Sequence, residues 1–200
     1  MDIDQLYEIT RLAKARRQFE RWRFFVPVPK QEEFLTAGAS YSERMLMAGN
    51  GNGKTETAAF EIASHLTGNY PTWWKGYRFN TPIRCWVGGT SGRGARSAGQ
   101  EKLFGTPGDP SSLGTGMIPK ENIVGSPATG RSAPNSIDSA IIRHISGGNS
   151  RVELKTYSQD REDWQGSDIE LLWFDEEPPM PIYTEGLARL RGKGLALTTF

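Results

Sequence analysis

The fold of this sequence is decided by the stretch Ala48-Gly49-Asn50-Gly51-Asn52-Gly53-Lys54-Thr55. It follows the short apolar run Met45-Leu46-Met47 and precedes a helical pattern, which is the setting of a phosphate-binding P-loop. Glycines allow backbone N–H groups to converge on one anion, and the N-terminus of the next helix adds partial positive charge. We expect Lys54 to reach the β- and γ-phosphates of a nucleotide and the Thr55 hydroxyl to ligate Mg²⁺. Ala48 replaces the first glycine of the pattern and is small enough to be tolerated there.

A second apolar run ends in two acids further along the chain. Ile169-Glu170-Leu171-Leu172-Trp173-Phe174 leads into Asp175 and Glu176, as expected of a buried central strand that delivers carboxylates to a sheet edge. In P-loop NTPases the first acid holds Mg²⁺ together with the P-loop hydroxyl, so Asp175 is the predicted metal ligand. Glu176 is predicted to polarise the attacking water. An aspartate followed by a glutamate favours a nucleotide hydrolase over a P-loop kinase that phosphorylates a small substrate.

Further residues are predicted to contact the nucleotide. The amide of Gln31 offers a donor and an acceptor, which suits the adenine edge; the alternative is a surface residue of a helix. Trp22 or Phe25 is predicted to stack on the base. Thr198 and Thr199 end the last strand-like run, at a sheet edge where hydroxyls can sense whether a γ-phosphate is present.

The remaining apolar runs predict an α/β fold with a mainly parallel central sheet flanked by helices. Residues 82–89 alternate as a strand. Residues 140–146 and 151–156 predict two strands joined by Gly147-Gly148-Asn149, which is a hairpin signal. Half of the positions between 105 and 136 are glycine, proline or serine, which predicts either a functional loop or a mobile one.

The N-terminal segment is set apart from the rest of the chain. Residues 2–25 predict a helix that Pro27 and Pro29 end, so we divide the chain into a helical appendage at 1–26 and an ATPase domain at 27–200. Six basic side chains crowd the middle and end of this helix: Arg11, Lys14, Arg16, Arg17, Arg21 and Arg23. They predict contacts with a partner or with DNA phosphates, or else a solvated face.

Composition excludes several classes of protein. A net charge of +1 provides no global attraction for nucleic acid, so DNA contacts would need a local patch, for which Arg93 and Arg96 are further candidates. The single cysteine, Cys85, excludes an internal disulfide and offers no metal cluster. No apolar run approaches the ~20 residues of a membrane helix and no secretory signal opens the chain, so we expect a soluble intracellular protein. Because the chain stops at Phe200, directly after a strand-like run, we expect it to be part of a longer chain.

Together these motifs resemble the ATPase domain of the large terminase subunit, the motor that packages DNA in tailed phages. The resemblance covers residues 24–200. It rests on the P-loop together with Pro29-Lys30-Gln31, His65-Leu66-Thr67-Gly68, Arg161, Trp164-Gln165-Gly166, the segment 173–179, and Leu197-Thr198-Thr199.

The resemblance implies a RecA-like P-loop NTPase fold of the ASCE type, which hydrolyses ATP with Mg²⁺ to move double-stranded DNA into a capsid. It implies that Gln31 meets adenine and that Lys54 and Thr55 serve the phosphates and Mg²⁺. It also implies that Glu176 is the catalytic acid and that Thr198-Thr199 couples hydrolysis to movement. The implied partners are the capsid portal, the small terminase subunit and further copies of the chain in a ring, all in the host cytoplasm.

In such rings an arginine of one subunit can complete the site of its neighbour. Arg161 resembles the family's arginine upstream of the Asp-Glu strand, and we expect it to play this part. Many relatives carry an arginine inside the P-loop where this chain has Gly51, so no arginine of the loop itself is expected to act. The acidic cluster of the family's nuclease domain is absent from this chain, which predicts hydrolysis without DNA cleavage. Two alternatives stay open: another RecA-like DNA motor, such as a helicase or recombination ATPase, and a nucleotide-gated binding module without turnover.

Overall fold

The computed structural model describes residues 2–90, 95–130 and 136–200, with only the backbone described at 95–98. Arg93 and the side chain of Arg96, both predicted DNA contacts, lie outside the described residues. The described α-helices are α1 (Ile3–Phe19), α2 (Pro29–Ala37), α3 (Lys54–Thr67), α4 (Ala95–Phe104) and α5 (Met180–Ala188). The described strands are β1 (Glu43–Leu46), β2 (Arg84–Gly89), β3 (Ile123–Thr129), β4 (Ile137–Arg143), β5 (Asn149–Thr156), β6 (Ile169–Asp175) and β7 (Leu190–Thr199). Within these ranges no helix is both long and apolar enough to cross a membrane.

The strands form one sheet in the order β1-β7-β6-β2-β5-β4-β3. The first five in this order run parallel, and β4 pairs antiparallel with β5 on one side and with β3 on the other. The predicted α/β class, the mainly parallel sheet and the antiparallel hairpin are therefore confirmed. The hairpin turns at Gly147 and Gly148, which both have positive φ. In β6 nearly every side chain is buried, as expected of a strand covered on both faces.

Helix α3 packs on the sheet and forms much of the core with it. It begins directly after the glycine loop, and residues 57–67 are all buried. Small residues such as Ala59 and Ala63 let the helix approach the strands closely, and Ile62 fills the space between them. Gly68, with φ of 70°, ends the helix in the left-handed conformation that glycine adopts readily.

The N-terminal helix contributes no buried side chain to this core. None of the α1 residues is buried, and Leu6 and Tyr7 are 50% and 74% exposed. The helix ends earlier than the predicted span of 2–25, because Glu20 leaves the helical conformation and a 3₁₀ turn follows over Arg21–Phe24. This turn is joined to α3 by an ion pair between Arg21 and Glu56, with 2.8 Å between nitrogen and oxygen. The domain division at residue 26 stays a prediction.

The glycine-, proline- and serine-rich segment holds more structure than its composition predicts. Met117 and Ile118 are fully buried, and β3 pairs with β4 at the edge of the sheet. Gly125 and Pro127 interrupt the alternation that normally marks a strand, and an edge strand tolerates both residue types. For this reason the sequence pattern did not predict β3. Residues 131–135 lie outside the described residues.

A charged cluster is buried between β1, α2 and α3. Arg44 donates from Nη2 to Oε1 of Glu61 at 2.7 Å and from Nη1 to the carbonyl oxygen of Phe34 at 2.8 Å. The two side chains are 4% and 1% exposed. His65, one turn further along α3, lies 3.3 Å from the same carboxylate oxygen. Burial raises the pKa of Glu61, but the Arg44 charge and the His65 hydrogen bond outweigh it and hold that pKa below its usual value.

Replacing Glu61 with glutamine is expected to lower the free energy of unfolding by about 3–5 kcal/mol, because it leaves the Arg44 charge buried without a counter-ion. Urea denaturation at pH 7 measures the change. Glu33→Gln, which removes a carboxylate from the exposed pair with Lys30, is the matched control and should leave the midpoint nearly unchanged. Equally small shifts in the two variants would show that the buried pair does not support the fold.

Candidate nucleotide site at the carboxyl edge of the sheet

The predicted site lies at the carboxyl-terminal edge of the sheet. Leu46 of β1 pairs with Thr199 of β7, and Thr199 pairs with Asp175 of β6. The ends of these three parallel strands are therefore level. Because β7 lies between β1 and β6, its end separates the glycine loop, which leaves β1, from Asp175.

The glycine loop curls through two left-handed residues before α3 begins. Gly51 and Gly53 have φ of 80° and 73°, values that favour glycine. Asn50 and Gly51 are exposed at the top of the loop. A side chain at Gly51 would meet no neighbour, so backbone conformation rather than space requires glycine at this position.

Lys54 is held against the loop that precedes it. Its ammonium donates to the carbonyl oxygens of Ala48 at 2.5 Å and Gly49 at 3.1 Å. The Asn52 amide also donates to the Gly49 carbonyl, at 3.0 Å. The loop therefore concentrates a lysine charge and the N-terminus of α3 at one point, an arrangement that suits an anionic ligand.

Gln31 reaches the same loop from α2. Its Nε2 lies 3.4 Å from the carbonyl oxygen of Asn52, and its Oε1 accepts a hydrogen bond from the backbone N–H of Val28 at 3.0 Å. A cleft of about 680 Å³ lies beside it, bounded by Gln31, Met47 and Lys54 among others. The structure thus brings Gln31 to the loop, and its contact with adenine stays a prediction.

Trp22 and Phe25 are not brought to the loop. The Trp22 ring stacks on Phe60 with 5.9 Å between ring centroids, and its Nε1 donates to the Ser64 hydroxyl at 2.8 Å. Phe25 stacks on Phe60 at 4.2 Å. Phe60 and Ser64 lie in the second and third turns of α3, away from its N-terminus. Where base stacking was predicted, the structure has packing in an aromatic cluster, because large rings gain most by burial against one another.

Three segments meet at the carboxylate of Asp175. The Thr199 hydroxyl donates to Oδ1 of Asp175 at 2.9 Å, and the Thr55 hydroxyl lies 3.4 Å from the same oxygen. Trp173 Nε1 donates in turn to the Thr199 hydroxyl oxygen at 3.0 Å. Thr198 is buried next to Thr199 in the same strand. The two predicted metal ligands, Thr55 and Asp175, are therefore close together.

The environment of Asp175 sets its charge. Its pKa is raised to about 6, chiefly by burial, which the Thr199 hydrogen bond opposes and the negative charge of Glu176 reinforces. The Thr55 hydrogen bond and the positive charge of Lys54 both lower this pKa, so they offset part of the effect of burial. At neutral pH the carboxyl group is therefore mostly ionised, and a nearby cation would be favoured.

A hydroxyl and a carboxylate are hard oxygen ligands of the kind Mg²⁺ accepts. Across residues 2–90, 95–130 and 136–200, no group of three or more His, Cys, Asp or Glu side chains could hold a metal. A cation beside Thr55 and Asp175 would complete its coordination with further oxygens, as Mg²⁺ does where it keeps water and phosphate ligands.

Glu176 combines exposure with an unusual backbone. Its φ is 70°, and it alone among the described non-glycine residues has a positive φ. That conformation costs about 1–2 kcal/mol in a residue with a Cβ, and strain of this kind concentrates at functional sites. The Glu176 N–H donates to the carbonyl oxygen of Thr199 at 2.8 Å. Thr199 thus contacts both acids, Asp175 through its hydroxyl and Glu176 through its carbonyl.

Tyr157 is a residue of this edge that the motifs did not predict. It directly follows β5, and its hydroxyl oxygen lies 3.0 Å from the carbonyl oxygen of Glu176. Burial raises its pKa, and the negative charges of Asp175 and Glu176 raise it further, so the hydroxyl keeps its proton as a donor. No motif marks a tyrosine that acts on backbone carbonyls, and its place after a predicted strand was the one available signal.

The 3₁₀ turn Arg161–Trp164 carries Arg161 at the surface. Arg161 contacts Oε2 of Glu185 on α5 from Nη2 at 2.8 Å and from Nε at 2.9 Å, and its side chain is 61% exposed. Glu185 also accepts hydrogen bonds from Arg189; those from Arg189 and from Arg161 lower its pKa. In the part of the chain that the structure describes, no contact joins Arg161 to the glycine loop or to Asp175 of its own chain.

Aromatic packing fastens this turn to the sheet. Trp164 is fully buried and stacks on Phe174 at 6.1 Å between centroids, with the Tyr157 ring at 6.2 Å. Lys155 donates to the carbonyl oxygen of Asp163 at 2.7 Å, which ties the turn to the end of β5. The position of Arg161 is thus linked through Trp164 to the residues beside Glu176.

Comparison with known proteins identifies the family. The family model described as "Terminase large subunit, T4likevirus-type, N-terminal" matches residues 45–198. This chain belongs to the large terminase subunit family. The large terminase subunit of Salmonella phage P22 is 40% identical over 194 residues, with 88% of this chain and 39% of that protein covered. The family resemblance predicted from the motifs is confirmed.

The family match and the carboxyl-edge site coincide. The matched residues include the glycine loop, α3, β6 and most of β7. The chain spans about two fifths of the length of the curated terminase that it matches.

In this terminase family member, Gly88→Ala is expected to destabilise the site edge. A Cβ at Gly88 would lie 2.7 Å from the Trp164 ring and 2.8 Å from the Tyr157 ring, and overpacking of this kind costs about 1–3 kcal/mol. Gly99→Ala is the matched control, because its Cβ would meet Val87 at an ordinary 3.6 Å. Urea denaturation compares the two variants, and equal stability would show that the rings move aside without cost.

Proposed function

We propose that this chain is the ATPase part of a large terminase subunit, which hydrolyses ATP with Mg²⁺ to drive double-stranded DNA into a capsid. The observation that supports this most strongly is the meeting of Thr55 and Asp175, which are 120 positions apart, beside the loop that carries Lys54. A glycine loop alone has a simpler explanation as a turn. A lysine, a hydroxyl and an ionised carboxylate at one edge of a parallel sheet support a P-loop NTPase of the RecA-like ASCE type.

Nucleotide binding would use the glycine loop and Gln31. Lys54 would exchange the carbonyls of Ala48 and Gly49 for phosphate oxygens, because an ammonium binds an anion more strongly than a neutral acceptor. The backbone N–H groups of the loop and of the first turn of α3 would surround the same phosphates. Gln31 contacts the carbonyl of Asn52, and its amide would meet the adenine edge beside the loop.

The metal and the attacking water would be handled at the end of β6. Thr55 and Asp175 would hold Mg²⁺, which when bound neutralises charge on the phosphate oxygens. Glu176 would accept the proton of the attacking water. Glu176 has a left-handed backbone directly after Asp175, and on this proposal the two adjacent acids serve different tasks.

Coupling to movement would start at Thr199. Its hydroxyl donates to Asp175 and its carbonyl accepts from the Glu176 N–H, so both acids depend on the position of one residue. A change at the metal ligand therefore alters the hydrogen bonds at the end of β7. Thr198 and Thr199 are on this proposal the coupling residues.

The proposed partners follow from the family. They are double-stranded DNA, the capsid portal, the small terminase subunit and further copies of this chain in a ring. The exposed Arg161 supports the ring, because no described contact brings it to the site of its own chain while its guanidinium remains accessible to a neighbour.

Lys54→Ala and Glu176→Gln are each expected to reduce steady-state phosphate release in assembled rings by at least ~100-fold. The first removes the charge that would bind phosphate, and the second removes the proposed base. Lys54→Ala should also weaken binding of a fluorescent ATP analogue, whereas Glu176→Gln should bind it normally. A malachite green assay with and without Mg²⁺ measures release.

Glu177→Gln is the matched control, since it neutralises the next acid along, which is also exposed. It should retain turnover. Wild-type turnover in Glu176→Gln rings would refute the catalytic assignment. Nucleotide binding by wild-type rings without any phosphate release would instead support a nucleotide-gated binding module.

Arg161→Ala is expected to abolish turnover in rings while nucleotide affinity changes little, because a neighbour's arginine acts on the transition state. Mixing Arg161→Ala with Glu176→Gln subunits should restore part of the activity. In such mixtures an intact Glu176 on one subunit can be completed by an intact Arg161 on the next. Arg189→Ala, which removes the other partner of Glu185, is the control. A mixture that stays inactive would place Arg161 in its own chain's site or outside catalysis.

A further inference from the structure

Tyr157 joins the ends of three neighbouring strands. It is the first residue after β5, and its backbone N–H donates to the carbonyl oxygen of Gly89 at the end of β2 at 2.9 Å. Its hydroxyl oxygen lies 3.2 Å from the carbonyl oxygen of Gly88 and 3.2 Å from that of Asp175 at the end of β6. The carbonyl oxygen of Glu176 is closer still, at 3.0 Å.

These carbonyls lie where regular strand pairing stops. The pairing of β2 with β6 runs to Gly88 and Phe174, so the carbonyls of Asp175 and Glu176 lie beyond its last register pair. A phenol offers one proton, and here it has three acceptors within hydrogen-bond distance. The hydroxyl therefore supplies the donor that a neighbouring strand would supply if the ladder continued.

The backbone at Glu176 needs such support. A residue with a Cβ at φ 70° keeps this conformation only where its surroundings impose it. On one side the Glu176 N–H donates to Thr199 at 2.8 Å. On the other side the Tyr157 hydroxyl contacts the Glu176 carbonyl, so the residue is held at both of its backbone polar groups.

The ring of Tyr157 is itself held in place. It packs against Trp164 and Phe174, with centroids 6.2 Å and 6.3 Å away, and it lies so close to Gly88 that a Cβ at that position would come within 2.8 Å of the ring. The hydroxyl is thus delivered by a side chain whose orientation is fixed by packing.

We propose that Tyr157 is a positioning residue for Glu176, which holds the strained Glu176 peptide so that the carboxylate keeps its place at the sheet edge. This inference rests on the proposed hydrolysis, since it is the orientation of the proposed base that Tyr157 would maintain. Among the described contacts the Tyr157 hydroxyl meets only backbone carbonyls, and on this proposal it takes no part in the reaction itself.

Tyr157→Phe tests the inference, because it keeps the ring and its packing and removes the hydroxyl. In assembled rings kcat for ATP is expected to fall about 10- to 100-fold, as misplacement of a catalytic group by about an ångström does. KM for ATP should stay within about twofold, because the loop, Lys54 and Gln31 are untouched. Tyr183→Phe is the matched control: Tyr183 packs on the same Phe174, but its hydroxyl donates to Glu43. It should leave kcat unchanged.

A second measurement separates this inference from the proposed hydrolysis. Amide hydrogen exchange of a peptide that spans residues 175–178 should become faster in Tyr157→Phe and stay unchanged in Tyr183→Phe, whether or not the rings hydrolyse ATP. Faster exchange with a reduced kcat supports the positioning role. Unchanged exchange, or a wild-type kcat alongside an inactive Glu176→Gln, overturns it. Wild-type rings that release no phosphate would refute the hydrolysis proposal, and the exchange measurement would still decide the role of Tyr157.

Discussion

The structure depends on one carboxylate that receives hydrogen bonds from two distant segments. Asp175 ends the most deeply buried strand, and its Oδ1 is shared by the hydroxyl of Thr199 and, more loosely, that of Thr55. A buried carboxylate is unfavourable unless polar groups surround it, so its presence constrains where β7 ends and where α3 begins. The level ends of β1, β7 and β6 bring Thr199 beside Asp175 and start the glycine loop at the same edge of the sheet.

The described part of the molecule contains two kinds of charged group: a buried ion pair in which the charges neutralise each other, and charges at the sheet edge that have no such partner. The Arg44–Glu61 pair lies below the sheet edge, where each charge is neutralised within the chain and supports the packing of α3 on β1. The edge itself leaves its charges incompletely matched: Lys54 bonds only to carbonyls, and Asp175 has hydroxyl neighbours but no cationic partner within hydrogen-bond distance among the described contacts. Charges that the fold does not neutralise are the ones available to a ligand.

The sequence predicted those parts of the structure that are determined by patterns in consecutive residues. The glycine loop, the acid-ended strand and the Gly147-Gly148 hairpin carry turn chemistry and apolar patterns in consecutive residues, and they lie where they were expected. The edge strand β3 was missed because Gly125 and Pro127 disrupt its alternation. Trp22, predicted to stack on the base, packs on Phe60 instead, and the sequence alone does not distinguish these two uses of an aromatic ring. Tyr157 could not be predicted because its partners are backbone carbonyls of other strands.

The helix α1 differs from the other described α-helices, each of which has buried side chains. With no buried side chain, it owes its conformation to local terms: a capping box at Asp2 and Gln5, and exposed pairs such as Arg11 with Glu8. An isolated helix of this length is only marginally stable in water. Substitutions on its surface can therefore accumulate without disturbing the seven-stranded core. A segment so weakly constrained by the fold can change in sequence with little effect on how the rest of the domain folds.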